Sequence, residues 1–262
     1  MTKTVVIVQA RMGSSRLPGK VLMPLAGRSV LSQVLERCQS IAGVDAVCCA
    51  TTLNPEDMAI VSESRRCGVS VFRGSESDVL DRYNRAAKDM SADVILRVTS
   101  DCPLIDPEIC GAVISLLDET GADYACNNMP PQWPHGLDCE AFSADWLQRA
   151  ASQAHRPSER EHVTPYIRNH PEAKKVMLSG PGGSLAAHRW TLDTQADYEF
   201  LQKLFARLPD DHSAWNWRTT LDIVEADPAL AAMNAGQDRH EGLRKSLAAD
   251  KSAGYASNGH DE

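Results

Sequence analysis

Several function classes are excluded by what the chain lacks. None of its apolar runs approaches the 18 or more residues that a membrane-spanning helix needs. No Cys-x-x-Cys pair occurs among the eight cysteines, so a structural zinc site is not expected. Adjacent Cys48 and Cys49 would point to opposite faces of a strand. Most of the thiols stand beside Val, Ile or Ala, as small buried apolar residues do. A reducing, cytoplasmic setting is the default for such usage. There is no long basic stretch and the net charge is −8, which argues against generic nucleic-acid binding. The first ten residues place one Lys before a strand and do not read as a signal peptide. No internal repeat is present. With 262 residues, 43% of them apolar, one α/β domain with a sizeable core is expected.

Acidic residues are also missing from the first 35 positions, which carry Lys3, Arg11, Arg16, Lys20 and Arg28. That segment has a charge of +5 while the rest of the chain carries −13. The apolar run Val5 to Val8 reads as a buried strand, and Gly13, Ser14, Ser15, Pro18 and Gly19 then stop it. Concentrated positive charge on an amide-rich loop at a strand end suits a polyanion such as a triphosphate. The alternative is a solvated basic turn.

Further strands are expected at 44–51, 69–72, 93–98 and 123–126, alternating with helices at 29–40, 78–90 and 107–117 and one that starts at 54–57. Such alternation indicates βαβ units and a mostly parallel sheet with helices on both faces. Ligands of these sheets sit at the carboxyl ends of the strands. Here those ends carry the basic loop, the loop around Arg73 and the loop around Asp101. The Pro-rich stretch 127–140, which holds Trp133 and His135, is long enough to suggest a role of its own. Segments 174–178 and 188–192 read as strands joined by the turn at 180–183, a hairpin or flap on the main sheet. A capping box is expected at Ser158 to Glu161 and another helix over 195–208. Residues 1–245 form one domain in this reading, with a flap and acceptor region at about 127–190, and 246–262 is a disordered tail.

Asp101 directly follows a buried strand, where packing does not explain an acid, and Asp106 already serves to cap the next helix. Asp193 holds the equivalent place after 188–192, with Thr194 available as the cap. Two carboxylates at strand ends suit magnesium, which takes few protein ligands and completes its octahedron with phosphate oxygens. Arg97, flanked by Leu96 and Val98, needs an anionic partner if buried. Asp138, Glu140, Glu159, Arg160 and His162 are further candidates, and Trp133, Trp215 and Trp217 could line a sugar pocket or pack in the core.

These strings resemble the sugar-nucleotide cytidylyltransferases, in particular the SpsF-like branch of spore-coat polysaccharide synthesis, relatives of enzymes that activate octulosonic and sialic-type acids. The likeness spans about residues 4–247. It rests on Gln9 to Lys20, Arg73 to Ser75, Asp78 to Tyr83, Arg97 to Asp106, Gly136 to Asp138, Ser158 to Tyr166 and Thr191 to Thr194. It implies a Rossmann-like nucleotidyltransferase sheet with a small β flap for dimerisation, a homodimer, and magnesium-dependent transfer of CMP from CTP to a sugar acid. Gln9, Ala10, Arg11, Gly13, Ser14, Arg16 and Lys20 would meet the phosphates and nucleotide. Arg73, Ser75 and Arg82 would face the base and ribose, Arg97 would be a further nucleotide-binding residue, and Asp101 and Asp193 would carry the metal. His135, Gly136, Asp138, Glu159, Arg160 and His162 would contact the acceptor. The branch often carries an acid where this chain has His135, so the acceptor's identity is left open. A GT-A glycosyltransferase is the rival enzyme class, although Asp101-Cys102-Pro103 lacks the second acid of an Asp-x-Asp element. A non-catalytic nucleotide-binding subunit is the other alternative.

Overall fold

A computed structural model of the chain describes residues 2–239 and 241–255. Strand β1 (Thr4–Gln9) sits at the centre because its apolar run is buried on both faces. Val6 and Val8 point into one core layer, while Val5 and Ile7 point into the other, the alternation that the pleat imposes. Each of these side chains is fully buried, worth about 1.5–3 kcal/mol apiece in area terms. Cys48 and Cys49 fall on opposite layers in the same way.

Five further parallel-sheet elements and one reversed strand complete the sheet. These are β4 (Ala46–Thr52), β5 (Ser70–Gly74), β6 (Val94–Thr99), β7 (Tyr124–Cys126), β8 (Glu140–Ser143) and β9 (Lys175–Met177). Their spatial order is β5-β4-β1-β6-β8-β7-β9, with β8 antiparallel to both neighbours. A separate ribbon pairs β2 (Pro24–Leu25) with β3 (Arg28–Ser29) just after the basic loop. The first crossovers run through α1 (Val30–Gln39), α2 (Met58–Arg66), α3 (Val79–Asp89) and α4 (Pro107–Thr120). Then come α5 (Ala144–Gln153), α6 (Pro157–His162), α7 (Pro165–Asn169), α8 (Gln195–Phe205), α9 (Trp217–Glu225), α10 (Pro228–Ala232) and α11 (Glu241–Ser252). The caps follow local chemistry: Ser29 accepts from the Ser32 amide, Asp78 from that of Asp81, and Asp106 from those of Glu108 and Ile109. Among the described residues no helix is long and apolar enough to cross a membrane.

Three expectations need correction. The 174–192 hairpin does not form: β9 pairs in parallel with β7, a 3-10 turn occupies Gly183–Ala187, and 188–192 contributes only a bridge between Arg189 and His135. Its backbone is used instead to tie loops together, Trp190 donating to the His135 carbonyl at 2.7 Å and Leu192 to that of Asp101 at 2.8 Å. The cap of α6 is Arg156 rather than Ser158, with Glu159 accepting from the Arg156 amide at 3.1 Å. Residues 246–252 of the expected tail lie in α11, where Ser246 and Asp250 are buried; 256–262 fall outside the described residues. Strand β8 carries no strand signal in the sequence because its four residues begin with a glutamate and end with a serine.

Asp106 is fully buried, and its second oxygen accepts from the Trp217 amide at 2.8 Å, so it joins α4 to α9. Asp106→Ala loses a cap and strands a buried N–H, and is expected to cost roughly 2–4 kcal/mol. Urea unfolding measures this; a loss under about 0.5 kcal/mol, the size of an ordinary surface substitution, would contradict the role.

Candidate active site

The loop from Ala10 to Lys20 leaves β1 at the carboxyl edge of the sheet. Its base is fixed where the Met12 amide donates to buried Asp57 at 2.7 Å, and its far end where the Gly19 amide returns to the Met12 carbonyl at 3.0 Å. Gly19 takes a φ of 70°, left-handed backbone that costs glycine least. The result is an open loop with Arg11 and Arg16 exposed and Lys20 folded inward.

Lys20 Nζ donates to Asp101 Oδ2 at 2.9 Å, to Asp193 Oδ1 at 2.8 Å and to the Leu192 carbonyl at 2.7 Å, which uses all three ammonium donors. Burial works against its charge, but the two carboxylates outweigh burial and raise its pKa above the ordinary lysine value. Burial likewise opposes ionised Asp101, yet Lys20 and the Thr99 hydroxyl, 2.6 Å from Oδ1, hold its carboxyl well below the usual range. Asp193 is further paired by Arg16 at 2.9 Å and, through its other oxygen, by Arg189 at 2.9 Å. Arg189 in turn forks onto Asp197 at 2.8 and 3.0 Å, and Asp197 also accepts from Asn234 at 3.0 Å. Thr194 caps α8, so neither Asp101 nor Asp193 is spent on a helix end.

Two cavities meet along Thr99, Asp101 and Asp193, which belong to the walls of both. The smaller, about 530 Å³, faces the basic loop, and Gln9, Ala10, Arg11, Ser14 and Arg82 are among the residues that line it. Arg82 is buried with its Nε unpartnered, and burial lowers its pKa. Gly13 is exposed on the loop, its α-carbon face turned toward Glu76. Arg73 and Ser75 do not reach the cavity. Arg73 donates to the Thr52 and Asn54 carbonyls at 2.9 and 3.1 Å, and Ser75 accepts from the Asp78 amide at 3.0 Å, so both brace loops.

The larger cavity, about 830 Å³, receives His135, Asp138, Glu140 and Glu159. His135 Nδ1 lies 3.0 Å from Arg189 Nη1, and burial lowers its pKa, with Asp138 opposing and Arg239 and Arg189 assisting. Gly136 has a φ of 114°, and a Cβ there would stand 2.6 Å from the Trp190 carbonyl carbon, so only glycine fits. Asp138 binds Arg239, and Glu159 is occupied at its helix cap. Arg160 and His162, expected beside the acceptor, lie on the loop-side cavity instead: Arg160 forks onto Asp78, and His162 Nε2 is 2.8 Å from Ser246 Oγ. Arg97, expected on the nucleotide side, faces the larger cavity and donates to Glu140 at 2.6 Å across the strand pair β6–β8. Glu140 also accepts from Thr164 at 2.7 Å and from Tyr124. The tryptophans do not line a sugar pocket; Trp133 meets Trp217 edge-on at 5.3 Å, and Trp215 packs on Phe205. Arg189, flanked by His188 and Trp190, could have been flagged by the reasoning applied to Arg97; Arg239 carries no comparable signal.

Among the described residues no three His, Cys, Asp or Glu side chains gather as a metal site. Asp101 and Asp193 nonetheless fit magnesium, which needs few protein ligands, since Asp101 Oδ2 accepts only from Lys20 and Asp193 Oδ2 only from Arg189, which leaves each a second lone pair.

A mostly parallel sheet with a basic loop and paired acids at its carboxyl edge defines a nucleotidyltransferase. The cytidylyltransferase family profile matches residues 5–216. The spore coat polysaccharide biosynthesis protein SpsF of Bacillus subtilis is 36% identical over 214 residues, 79% of this chain and 88% of its own. A 3-deoxy-manno-octulosonate cytidylyltransferase of an Anaeromyxobacter species is 34% identical over 128 residues, 48% of this chain and 50% of its own. The solved cytidylyltransferase of Leptospira borgpetersenii superposes with a TM-score of 0.83 at 31% identity, over 91% of this chain and 99% of that one. The chain belongs to the cytidylyltransferase family, and it is a CTP-using nucleotidyltransferase. The glycosyltransferase and non-catalytic alternatives fall away with that membership.

Glu140 has its folded pKa lowered: burial opposes ionisation, but Arg97 first and then Arg168 outweigh it. Its stabilisation is therefore present above the ordinary glutamate value of about 4.3 and lost as pH falls through the lower folded value. Glu140→Gln is expected to flatten the acid limb of the stability–pH curve and to cost roughly 3 kcal/mol at neutral pH by leaving Arg97 unpaired. Urea midpoints from pH 3 to 7 test it, and an unchanged acid limb would contradict it.

Proposed function

We propose that the enzyme transfers CMP from CTP to a sugar acid with magnesium, releasing pyrophosphate. The observation that carries this is the seam of Thr99, Asp101 and Asp193 shared by two cavities, with the Lys20 ammonium seated in it. A two-substrate transfer needs such a boundary, one substrate on each side and the reacting atoms between them. The loop-side cavity takes the triphosphate, with Arg11 and Arg16 suited to bidentate phosphate contacts and Lys20 to a point-charge contact. The larger cavity takes the acceptor. An acceptor hydroxyl oxygen bonds to the α-phosphorus, the bond from that phosphorus to the bridging oxygen breaks, pyrophosphate leaves with the electron pair, and the hydroxyl proton is released. Lys20 and Arg16 neutralise charge on the phosphate oxygens, and Thr99 holds the Asp101 carboxylate in place. Asp101 and Asp193 would hold magnesium, which when bound supplies further charge neutralisation to the phosphates. The sugar-acid assignment draws support from the octulosonate cytidylyltransferase named above. A homodimer and a cytoplasmic setting belong to the same proposal, and light scattering tests the first.

Lys20→Ala is expected to slow pyrophosphate release by about 100-fold or more, the scale of losing one preorganised charge contact; an unchanged rate would remove Lys20 from the chemistry. Asp101→Asn is expected to abolish magnesium-dependent turnover, and full activity would take Asp101 out of the metal site. In thermal melts CTP should raise Tm more than ATP, GTP or UTP; equal shifts would count against cytidine selection.

A further inference from the structure

Arg16 divides its guanidinium between two carboxylates. Its Nη2 lies 2.9 Å from Asp193 Oδ1, and its Nη1 donates to Glu241 Oε2 at 3.0 Å. Those two nitrogens form the fork through which an arginine grips a phosphate, and each is turned to a different acid. Glu241 opens α11, a helix beyond residue 216, where the family match ends. The helix is fastened to α6. The Ser158 amide and hydroxyl both donate to buried Asp250, at 2.9 and 2.5 Å, and Ser246 bridges His162 and Glu161, at 2.8 and 2.7 Å. The basic loop and α6 both line the loop-side cavity. Through α11, the Arg16–Glu241 pair therefore ties these two lining elements together.

The two acids are not equally free to let go. Asp193 belongs to the buried network, where Lys20 and Arg189 hold it as well. Its side chain is 13% exposed, against 39% for that of Glu241. Glu241 loses little on leaving, because its other oxygen keeps Lys245, one turn on, at 2.6 Å. Lys245 first, and then Arg16, hold its carboxyl below the ordinary glutamate value, so the group is an anion at neutral pH. A partly exposed ion pair contributes little stability and is screened by salt. It is a poor brace for a helix that Ser246 and Asp250 already hold, and well suited to exchanging one anion for another.

We infer that Glu241 is a positioning residue, a built-in competitor that holds Arg16 before nucleotide binds, is displaced as the triphosphate enters, and reclaims Arg16 as pyrophosphate leaves. This rests on the reading that the basic loop takes the triphosphate. The test is isothermal titration calorimetry of the full chain with CTP and magnesium, and separately with inorganic pyrophosphate. Glu241→Gln keeps the shape of the side chain and removes its charge. It is expected to lower both Kd values about three-fold, the scale of one partly exposed ion pair. In an Arg16→Ala background the same substitution should change neither Kd, since the competitor acts only through Arg16. A purely structural role for Glu241 would weaken binding or leave it unchanged, and either result overturns the proposal. So does a gain that persists without Arg16, which would mark a general effect of charge. Binding of neither ligand by the wild-type chain would overturn the triphosphate reading of the loop as well.

Discussion

An ammonium group nine-tenths buried persists only where anions surround it closely enough to replace water. Lys20 meets that requirement with Asp101 and Asp193, and the demand then passes outward. Asp193 needs Arg16 and Arg189, Arg189 needs Asp197, and Asp197 is completed by Asn234 and by the amides of Asp193 and Thr194. Three cations thus balance three carboxylates. Such a network is no efficient way to stabilise a fold, because apolar side chains of similar size serve equally well or better. Its position at the carboxyl edge of the sheet, on the boundary of two cavities, gives it a functional meaning instead.

The rest of the architecture holds that network in register. Parallel pairing of β1 with β6 brings the exit of the basic loop beside the exit of the Asp101 loop. Hydrogen bonds from Thr191 Oγ1 and the Leu192 amide to the Asp101 carbonyl, at 3.1 and 2.8 Å, bring in the third segment although it forms no strand. Reversed strand β8 sets Glu140 opposite Arg97, so a second buried ion pair backs the larger cavity. Gly136 lets its loop pass against the Trp190 backbone and so places His135 within reach of Arg189.

What was legible in the sequence was whatever a contiguous string encodes. The switch from Val5–Val8 to a cationic Gly/Ser loop announced both β1 and the basic loop at its carboxyl end, and Asp101 stood out as an acid with no capping duty. Arg97 stood out as a charge in an apolar strand, though its pairing turned it toward the other cavity. Long-range partnership was illegible: nothing local ties Arg189 to Asn234, or Arg239 to Asp138, 101 positions apart. Residues 246–252 read as tail in the sequence because α11 docks through polar Ser246 and Asp250 and offers only two leucines as an apolar signal. The expected hairpin failed because the backbone of 188–192 bonds to loops rather than to a neighbouring strand.

The two cavities suit the proposed division of the sheet edge into two tasks: charge dominates the loop-side lining, proposed to hold the triphosphate, and mixed polarity the other, proposed to hold the acceptor. The most direct test is the crystal structure of the CTP complex. The account predicts the triphosphate on Arg11, Arg16 and Lys20, with the α-phosphate at the Thr99–Asp101–Asp193 seam and open toward His135. A triphosphate bound elsewhere, or an α-phosphate walled off from the larger cavity, would contradict it.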